Sequence, residues 1–259
     1  MGFMKRMLSS VGIGSAKVDT VLHGNQFAPG EVMPAVVNVK GGGTAQEVND
    51  ITFSIHTTYL TEREYGDEEH KVWETAVLAD FHLGERFTLS PGEERSIDIE
   101  LDLPFDTPIT IGKTEVWVQT GMDISRSVDP KDRDFVQIVP GPLAGSMFDA
   151  FEQLGFDLVQ AECEAVRPSY HNRLPFVQEF EYRPRGGPFR GHFDEVELVM
   201  INQENSLDVM MEIDRRARGF SGMFSEMLGT DESNIRFTIY PNDIPNMTNN
   251  LHQVLSQYS

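Results

Sequence analysis

Apolar and polar residues alternate along much of the chain, and this alternation is the feature that most constrains its fold. Single polar residues separate the apolar ones across residues 96–103, where the apolar positions are Ile97, Ile99, Leu101 and Leu103. Successive side chains of a β-strand point to opposite faces, so the pattern is typical of a strand with one buried face. The same pattern recurs at residues 51–59, 73–81 and 207–213, which predicts a chain built mainly of strands.

Turn-forming pairs punctuate the first 140 residues between these strands. Examples are Pro29-Gly30, Pro91-Gly92 and Asp129-Pro130. No helical pattern of 10–15 residues separates the strands, which favours an antiparallel β-sandwich over a parallel α/β sheet. We expect two specific inward faces, formed by Ile51, Phe53, Ile55, Thr57 and Tyr59 in one strand and by Trp73, Thr75, Val77, Ala79 and Phe81 in another; His56 is expected on a solvated polar face.

The segment Pro140-Gly141-Pro142 marks a predicted domain boundary, which divides the chain into residues 1–140 and 141–259. Strand patterns continue after it, but helical spacing appears at residues 143–154, where Gly155 is expected to end the helix. Similar spacing occurs at residues 220–228 and 247–258. The predicted fold class is therefore all-β, with two antiparallel β-sandwich domains and a few short helices in the second.

The chain is strongly acidic, with 41 acidic and 21 basic side chains and a net charge of −20. The excess is spread over the sequence, because 23 acidic and 12 basic residues precede position 141 and 18 and 9 follow it. A negative field repels nucleic acid and anionic lipid. We therefore expect other proteins as partners and no nucleic acid, while the oligomeric state stays open.

Cysteine usage and the N-terminus bear on localisation. The single cysteine, Cys163, cannot form an intramolecular disulfide, which suits the reducing cytoplasm. Residues 1–14 are too short and too polar for a secretory core or a membrane span. Their helical spacing leaves open docking on the protein body or peripheral membrane contact.

Motifs for catalysis and for cofactor binding are incomplete. Gly112-Lys113-Thr114 resembles the end of a phosphate-binding loop, but Thr107 replaces the first glycine, so a hairpin-type turn is the favoured interpretation. Cys163 with His171 is a remote candidate for a nucleophile and its base, and a buried structural cysteine is favoured instead. We expect no cofactor and no enzymatic activity.

The sequence contains one cluster of acidic residues and one cluster of arginines. Asp129, Asp132 and Asp134 form the densest acidic group, but they lack the glycine and the distal glutamate of an EF-hand, so a solvated turn is favoured and cation binding stays open. Arg215, Arg216 and Arg218 cluster in a chain that is poor in positive charge. They either form structural ion pairs, at a domain interface or across strands, or bind an acidic partner.

Several longer stretches carry a family resemblance. They are residues 12–22, residues 103–108 with Val116-Trp117-Val118, residues 174–184 and residues 212–219. Together they resemble the bacterial sporulation-control family of stage-zero gene M. The resemblance implies an arrestin-like pair of β-sandwich domains, a cytoplasmic location, and a role in the control of sporulation and cell division without known catalysis. The loop at residues 103–108 also resembles the corresponding loop of arrestins.

The sequence thus favours a regulatory or scaffold protein that acts through protein–protein contacts. The alternatives are a metal-dependent hydrolase and a small-ligand-binding module, because function depends on sites rather than on the fold. Exposed sheet edges, inter-strand loops and the groove between the domains are the expected contact surfaces.

Overall fold

The structure, a computed structural model, describes residues 15–65, 68–125, 129–166, 173–214 and 234–259. The expected helices at residues 1–14 and 220–228 lie outside this part. Its first-half strands are β1 (Lys17–Leu22), β2 (Gln26–Phe27), β3 (Val32–Lys40), β4 (Gln46–Tyr65), β5 (Glu68–His82), β6 (Phe87–Leu89), β7 (Glu94–Asp102), β8 (Val116–Ile124) and β9 (Lys131–Ile138). There follow α1 (Pro142–Gln153), β10 (Phe156–Ala165), β11 (Phe176–Pro184), β12 (Glu195–Asn202), β13 (Leu207–Asp214), β14 (Asn234–Ile239), a 3-10 helix (Pro241–Asn246) and α2 (Met247–Ser256).

Two sheets enclose the core of the first half. One has the order β1-β3-β7, and the other contains β4 with β5, β6 and β8 beside it and β9 and β2 beyond β8. The alternation predicted for β4 is confirmed, because Ile51, Phe53, Ile55, Thr57 and Tyr59 are all buried. The all-β class with a few short helices is confirmed as well.

The inward face predicted for β5 is wrong over half of its length. Pairing between β4 and β5 shifts register opposite Ile55 and His56, so Leu78 is an extra residue in β5. A β-bulge of this kind reverses the alternation, so the residues before Ala79 face the core at even rather than odd positions. Leu78 and Ala76 are therefore buried, whereas Trp73 and Val77 are 45% and 46% exposed.

The second half places its core between a sheet and helices. Strands β10 to β14 are neighbours in chain order and pair antiparallel. The inward face predicted for β13 is confirmed, because Leu207, Val209, Met211 and Ile213 are buried. Helix α1 ends as predicted, with Gly155 at φ +86°, and it packs with α2 over the sheet.

The two halves share both a sheet and core residues. Strand β10 runs parallel to β4 at the pair Glu164–Leu60, so the larger sheet continues from the first half into the second. Cys163 and Phe176 from the second half lie in the first core, while Ile109 from the first half lies in the second. The boundary at residue 140 remains a prediction from the sequence.

The helices in the described part of the chain do not include a membrane span. Helix α1 has 12 residues and α2 has 10, and no helix there is both long and apolar enough to cross a bilayer.

Candidate functional site

A cleft of approximately 440 Å³ lies where the two halves meet. The loop after β7 forms one wall, the start of β11 forms the second, and the end of β12 forms the third. The lining residues are Pro104, Phe105, Asp106, Arg173, Leu174, Phe176, Val177, Gln178, Val199, Met200, Ile201, Asn202 and Gln203. Phe105 is 41% exposed, so the loop presents a large apolar side chain beside the opening.

The cleft exists because β11 and β12 separate. They are paired over only four residue pairs, from Tyr182–Val196 to Glu179–Val199. Beyond Val199 the pairing stops, although both strands continue. Residues 176–178 and 200–202 then form the two arms of a fork, and both arms line the cleft. We call this feature the β11–β12 fork.

Arg173 holds the loop of the first half against the start of β11. Its guanidinium donates Nε to Asp106 Oδ2 at 2.8 Å, and a second nitrogen donates to Asp106 Oδ1. The remaining nitrogen, Nη1, donates to the carbonyl oxygen of Leu78 at 2.6 Å. Two parallel bonds to one carboxylate fix the guanidinium plane. The positive charge of Arg173 is thus engaged with groups of the chain itself.

Gln178 anchors the same loop on the core side of the fork. Its Nε2 donates to the carbonyl oxygen of Ile109 at 2.7 Å, and its Oε1 accepts from the Ile109 N–H at 2.8 Å. The same Nε2 also lies 3.2 Å from Thr114 Oγ1. Since Gln178 is buried, these bonds satisfy groups that water does not reach. These bonds hold the loop against the core side of the β11–β12 fork.

Beside the loop there is a second, much smaller space of about 30 Å³, lined in part by Thr107 and Asn202. The Thr107 hydroxyl oxygen is buried and has no hydrogen-bond partner among the described residues. A space of this size holds one water molecule. We therefore treat it as a solvation site of the loop rather than as part of the binding site.

Glutamates occupy the face of strands β11, β12 and β13 that is opposite the core of the second half. Cross-strand pairing aligns Glu181 with Glu197 and Glu197 with Glu212. Burial, followed by the charge of Glu197, raises the pKa of Glu179 to about 9. Burial and then the charge of Glu212 raise the pKa of Glu197 to about 7. Crowded carboxylates thus lie next to the closed end of the β11–β12 fork, since Glu179 pairs with Val199 there.

The structure gives the Gly112-Lys113-Thr114 segment a structural role. Gly112 has φ +64°, and an added Cβ would lie 2.6 Å from the carbonyl oxygen of Ala161. Lys113 Nζ lies 2.6 Å from Glu162 Oε1, so its ammonium group pairs with a carboxylate of β10. The segment is a turn that leads into β8, as the sequence interpretation favoured.

Cys163 lies in the first core with 1% exposure, and its sulfur is 3.7 Å from Thr114 Oγ1. Burial raises the pKa of the thiol to about 12, which opposes thiolate formation at neutral pH. Its proposed base, His171, lies outside the described residues. The geometry gives Cys163 the role of a small buried side chain.

The aspartates at positions 129, 132 and 134 follow the strand rather than gather around a point. Asp129 Oδ1 accepts from the Ile124 N–H at 3.1 Å, and Asp132 Oδ2 accepts from the Thr20 N–H at 2.8 Å. Asp134 lies further along β9, opposite Val118. Among the described residues no group of three or more His, Cys, Asp or Glu side chains is arranged to hold a metal ion.

His56 is half-buried and packed against an aromatic ring rather than fully solvated as its strand pattern predicted. It stacks on Trp117 with ring centroids 5.4 Å apart. Its Nε2 lies 2.7 Å from Ser54 Oγ, and burial lowers its pKa. Val77, His56, Trp117 and Phe135 pair in sequence across four strands, and Phe135 is 60% exposed at the end of this row. Alternation within one strand does not reveal this row of side chains, because the row depends on the register between neighbouring strands.

Arg215, Arg216 and Arg218 lie outside the described residues, so their two interpretations stay predictions. The cleft itself was not foreseen at the level of residues. One feature of the sequence pointed to it, because Gln178 interrupts the apolar face formed by Phe176, Phe180 and Tyr182. A polar side chain at a core position requires a partner, and here the partner is the loop.

Comparison with known proteins agrees with this architecture. Residues 4–217 match the model of the Spo0M family, described as SpoOM protein. The sporulation-control protein spo0M of Bacillus subtilis (strain 168) is 38% identical over 262 residues, which covers the whole of both chains. The crystal structure of Spo0M from B. subtilis superposes with a TM-score of 0.85 and covers 95% of this chain and 100% of that one, at 38% identity.

Proposed function

We propose that this chain, which belongs to the Spo0M family, is a non-enzymatic regulator that acts through protein–protein contacts in the control of sporulation. The full-length similarity to a sporulation-control protein supports the regulatory role. The same proposal includes a link to cell division, which rests on the family resemblance. It also includes a cytoplasmic location, which rests on that resemblance and on the single buried cysteine.

One observation carries the contact mechanism, namely the cleft at the junction of the two halves. Its walls come from three separate segments, and hydrogen bonds of Arg173 and Gln178 hold the loop against the start of β11. Concave sites between structural units are common places for recognition. The partly exposed Phe105 at its opening offers the kind of aromatic anchor that is enriched at protein interfaces.

The chemistry of the site fits binding better than catalysis. Arg173 and Asp106 neutralise each other. The other lining side chains are apolar or amides. The thiol of Cys163 is buried and has a raised pKa. A nucleophile needs an adjacent base within hydrogen-bond reach, and no such pair lines the cleft.

Affinity capture from cells at the onset of sporulation tests the proposal. Chemical cross-linking before lysis retains weak complexes, and partners are identified by mass spectrometry. We expect Phe105→Glu to remove specific partners and Val159→Glu, a matched change at an exposed apolar position of β10, to retain them. A chain that captures no partner at any stage of sporulation, or that turns over a substrate in a way abolished by one substitution, contradicts the proposal.

A second candidate function is the binding of a small ligand. The cleft volume of about 440 Å³ falls within the range of small-molecule pockets, which is roughly 300–1,000 Å³. A ligand that binds only the folded state raises the melting temperature. Thermal-shift screening of metabolites tests this candidate, and a hit whose effect is lost in Ile201→Arg supports it.

A further inference from the structure

We propose that the β11–β12 fork receives an extended segment of a partner protein that contains lysine or arginine, and that this segment pairs with both strands through its backbone. The inference rests on the proposed function, because it assigns the protein–protein contact to one site and one kind of partner. It is carried by the pairing of the strands, by the carboxylates beside the fork and by the engagement of Arg173.

Both arms of the fork already have one neighbour. Residues 176–178 of β11 pair with residues 163–165 of β10, and residues 200–202 of β12 pair with residues 207–209 of β13. In an antiparallel strand, successive residues direct their N–H and C=O groups to opposite sides. Each arm therefore turns a share of its backbone groups away from its partner and into the fork.

An inserted strand would meet these groups from both sides. The arms are antiparallel to each other, so an inserted segment is parallel to one arm and antiparallel to the other. Three residues in each arm correspond to roughly 10 Å of strand, which accommodates about three residues of the guest. Recognition by strand addition takes its affinity from backbone hydrogen bonds and its selectivity from alternate side chains.

The neighbouring side chains define those alternate positions. Val177 and Ile201 occupy matching positions of the two arms, two residues beyond the Glu179–Val199 pair, on the face opposite the second core. Glu164 pairs with Val177 on the far side of one arm, and Asp208 pairs with Ile201 on the far side of the other. Glu179 lies on the same face at the closed end, where its pKa of about 9 makes it a neutral hydrogen-bonding group rather than a charge near pH 7. Guest side chains on this face thus meet two apolar groups, with the carboxyl groups of Glu164 and Asp208 beyond them on the two sides.

The charges favour a basic guest. Arg173, the cation that lines the cleft, is bonded to Asp106 and to a carbonyl oxygen, so it does not offer its charge to an acidic ligand. The whole chain carries a net charge of −20, which attracts cationic partners at a distance. A lysine or arginine stem also covers apolar surface while its charged end reaches a carboxylate.

Fluorescence anisotropy with labelled peptides tests the proposal on the unaltered full chain. The probe is an acetylated heptapeptide of alternating lysine and valine. One control peptide has N-methyl groups on its three central residues, and a second has glutamate in place of lysine. We expect saturable binding of the probe, at least tenfold weaker binding of the N-methylated peptide, and no binding of the glutamate peptide.

Two matched variants locate the binding. Ile201→Arg places a charge inside the fork, and Val159→Arg places the same charge on β10 outside the residues that line the cleft. We expect at least a tenfold loss of probe affinity for the first and less than a twofold change for the second. The comparison between the probe and the N-methylated peptide uses the unaltered chain, so it tests the proposal even if Ile201→Arg fails to fold.

The other outcomes overturn the proposal. Equal binding of the N-methylated peptide excludes backbone pairing, and equal losses in both variants indicate general charge repulsion. If the probe binds only after Lys5 and Arg6 are changed to glutamate, the occupant of the fork is the chain's own N-terminal segment and not a partner protein. Partners captured from sporulating cells equally by the wild type and by Ile201→Arg leave the proposed function in place but exclude the fork as its site.

Discussion

Gln178→Leu is the substitution that most directly tests how the two halves are held together. Leucine has a similar size, so the change removes hydrogen bonds and leaves little cavity. It leaves the Ile109 N–H, now bonded at 2.8 Å, without a partner, whereas the Ile109 carbonyl oxygen still accepts from the Ile111 N–H at 2.9 Å. A buried polar group without a partner costs about 1–3 kcal/mol. The one such group predicts a loss of about 1–3 kcal/mol in the free energy of unfolding.

Urea denaturation and thermal melting measure this loss. For a chain of this size we expect the Tm to fall by at least roughly 2 °C, since 1 kcal/mol corresponds to about 2–4 °C. Gln137→Leu is the matched control, because the Gln137 side chain makes an exposed hydrogen bond to Gln26. Its expected effect is within about 0.5 kcal/mol. The reasoning is refuted if the two variants lose similar stability, or if Gln178→Leu loses less than about 1 kcal/mol.

Three further predictions concern the turn, the buried carboxylates and the thiol. Gly112→Ala should destabilise the fold by about 1–3 kcal/mol more than Gly84→Ala in urea denaturation, because both have positive φ but only at Gly112 does an added Cβ meet a backbone oxygen. Burial raises the pKa of Glu179 to about 9, so the folded chain retains a proton that the unfolded chain releases. Stability should therefore fall as pH rises from roughly 5 to 9, and Glu179→Gln should flatten this fall in melts across that range. Cys163 should react with iodoacetamide at pH 8 only after unfolding, and rapid labelling of the native chain would contradict its burial.

Local alternation predicted the strands but not their mutual register. The faces of β4 and β13 follow directly from their sequences, because nothing interrupts the alternation there. In β5 the single extra residue Leu78 reversed the faces, and no property of Leu78 itself marks it as a bulge. A bulge is decided by the partner strand, so a pattern within one strand cannot reveal it.

The candidate site depends on long-range contacts to an even greater extent. The fork lies beside a loop from the first half, and the Ile109–Gln178 bond that joins the two links residues 69 positions apart. The resemblance of residues 103–108 to an arrestin loop concerns the segment that forms one wall of the cleft. It gave no indication that the loop is bonded to β11, because that contact is specified by packing rather than by spacing.

The shared strand β4 has a consequence for how this protein comes apart. Each half supplies side chains to the other's core, and β10 uses β4 as its neighbour. Unfolding of one half would therefore remove contacts that stabilise the other half. We expect the two halves to unfold together in a single cooperative transition. Calorimetry should show one heat-absorption peak, and a fragment cut at residue 140 should aggregate through its uncovered strand edge rather than survive as a free-standing module.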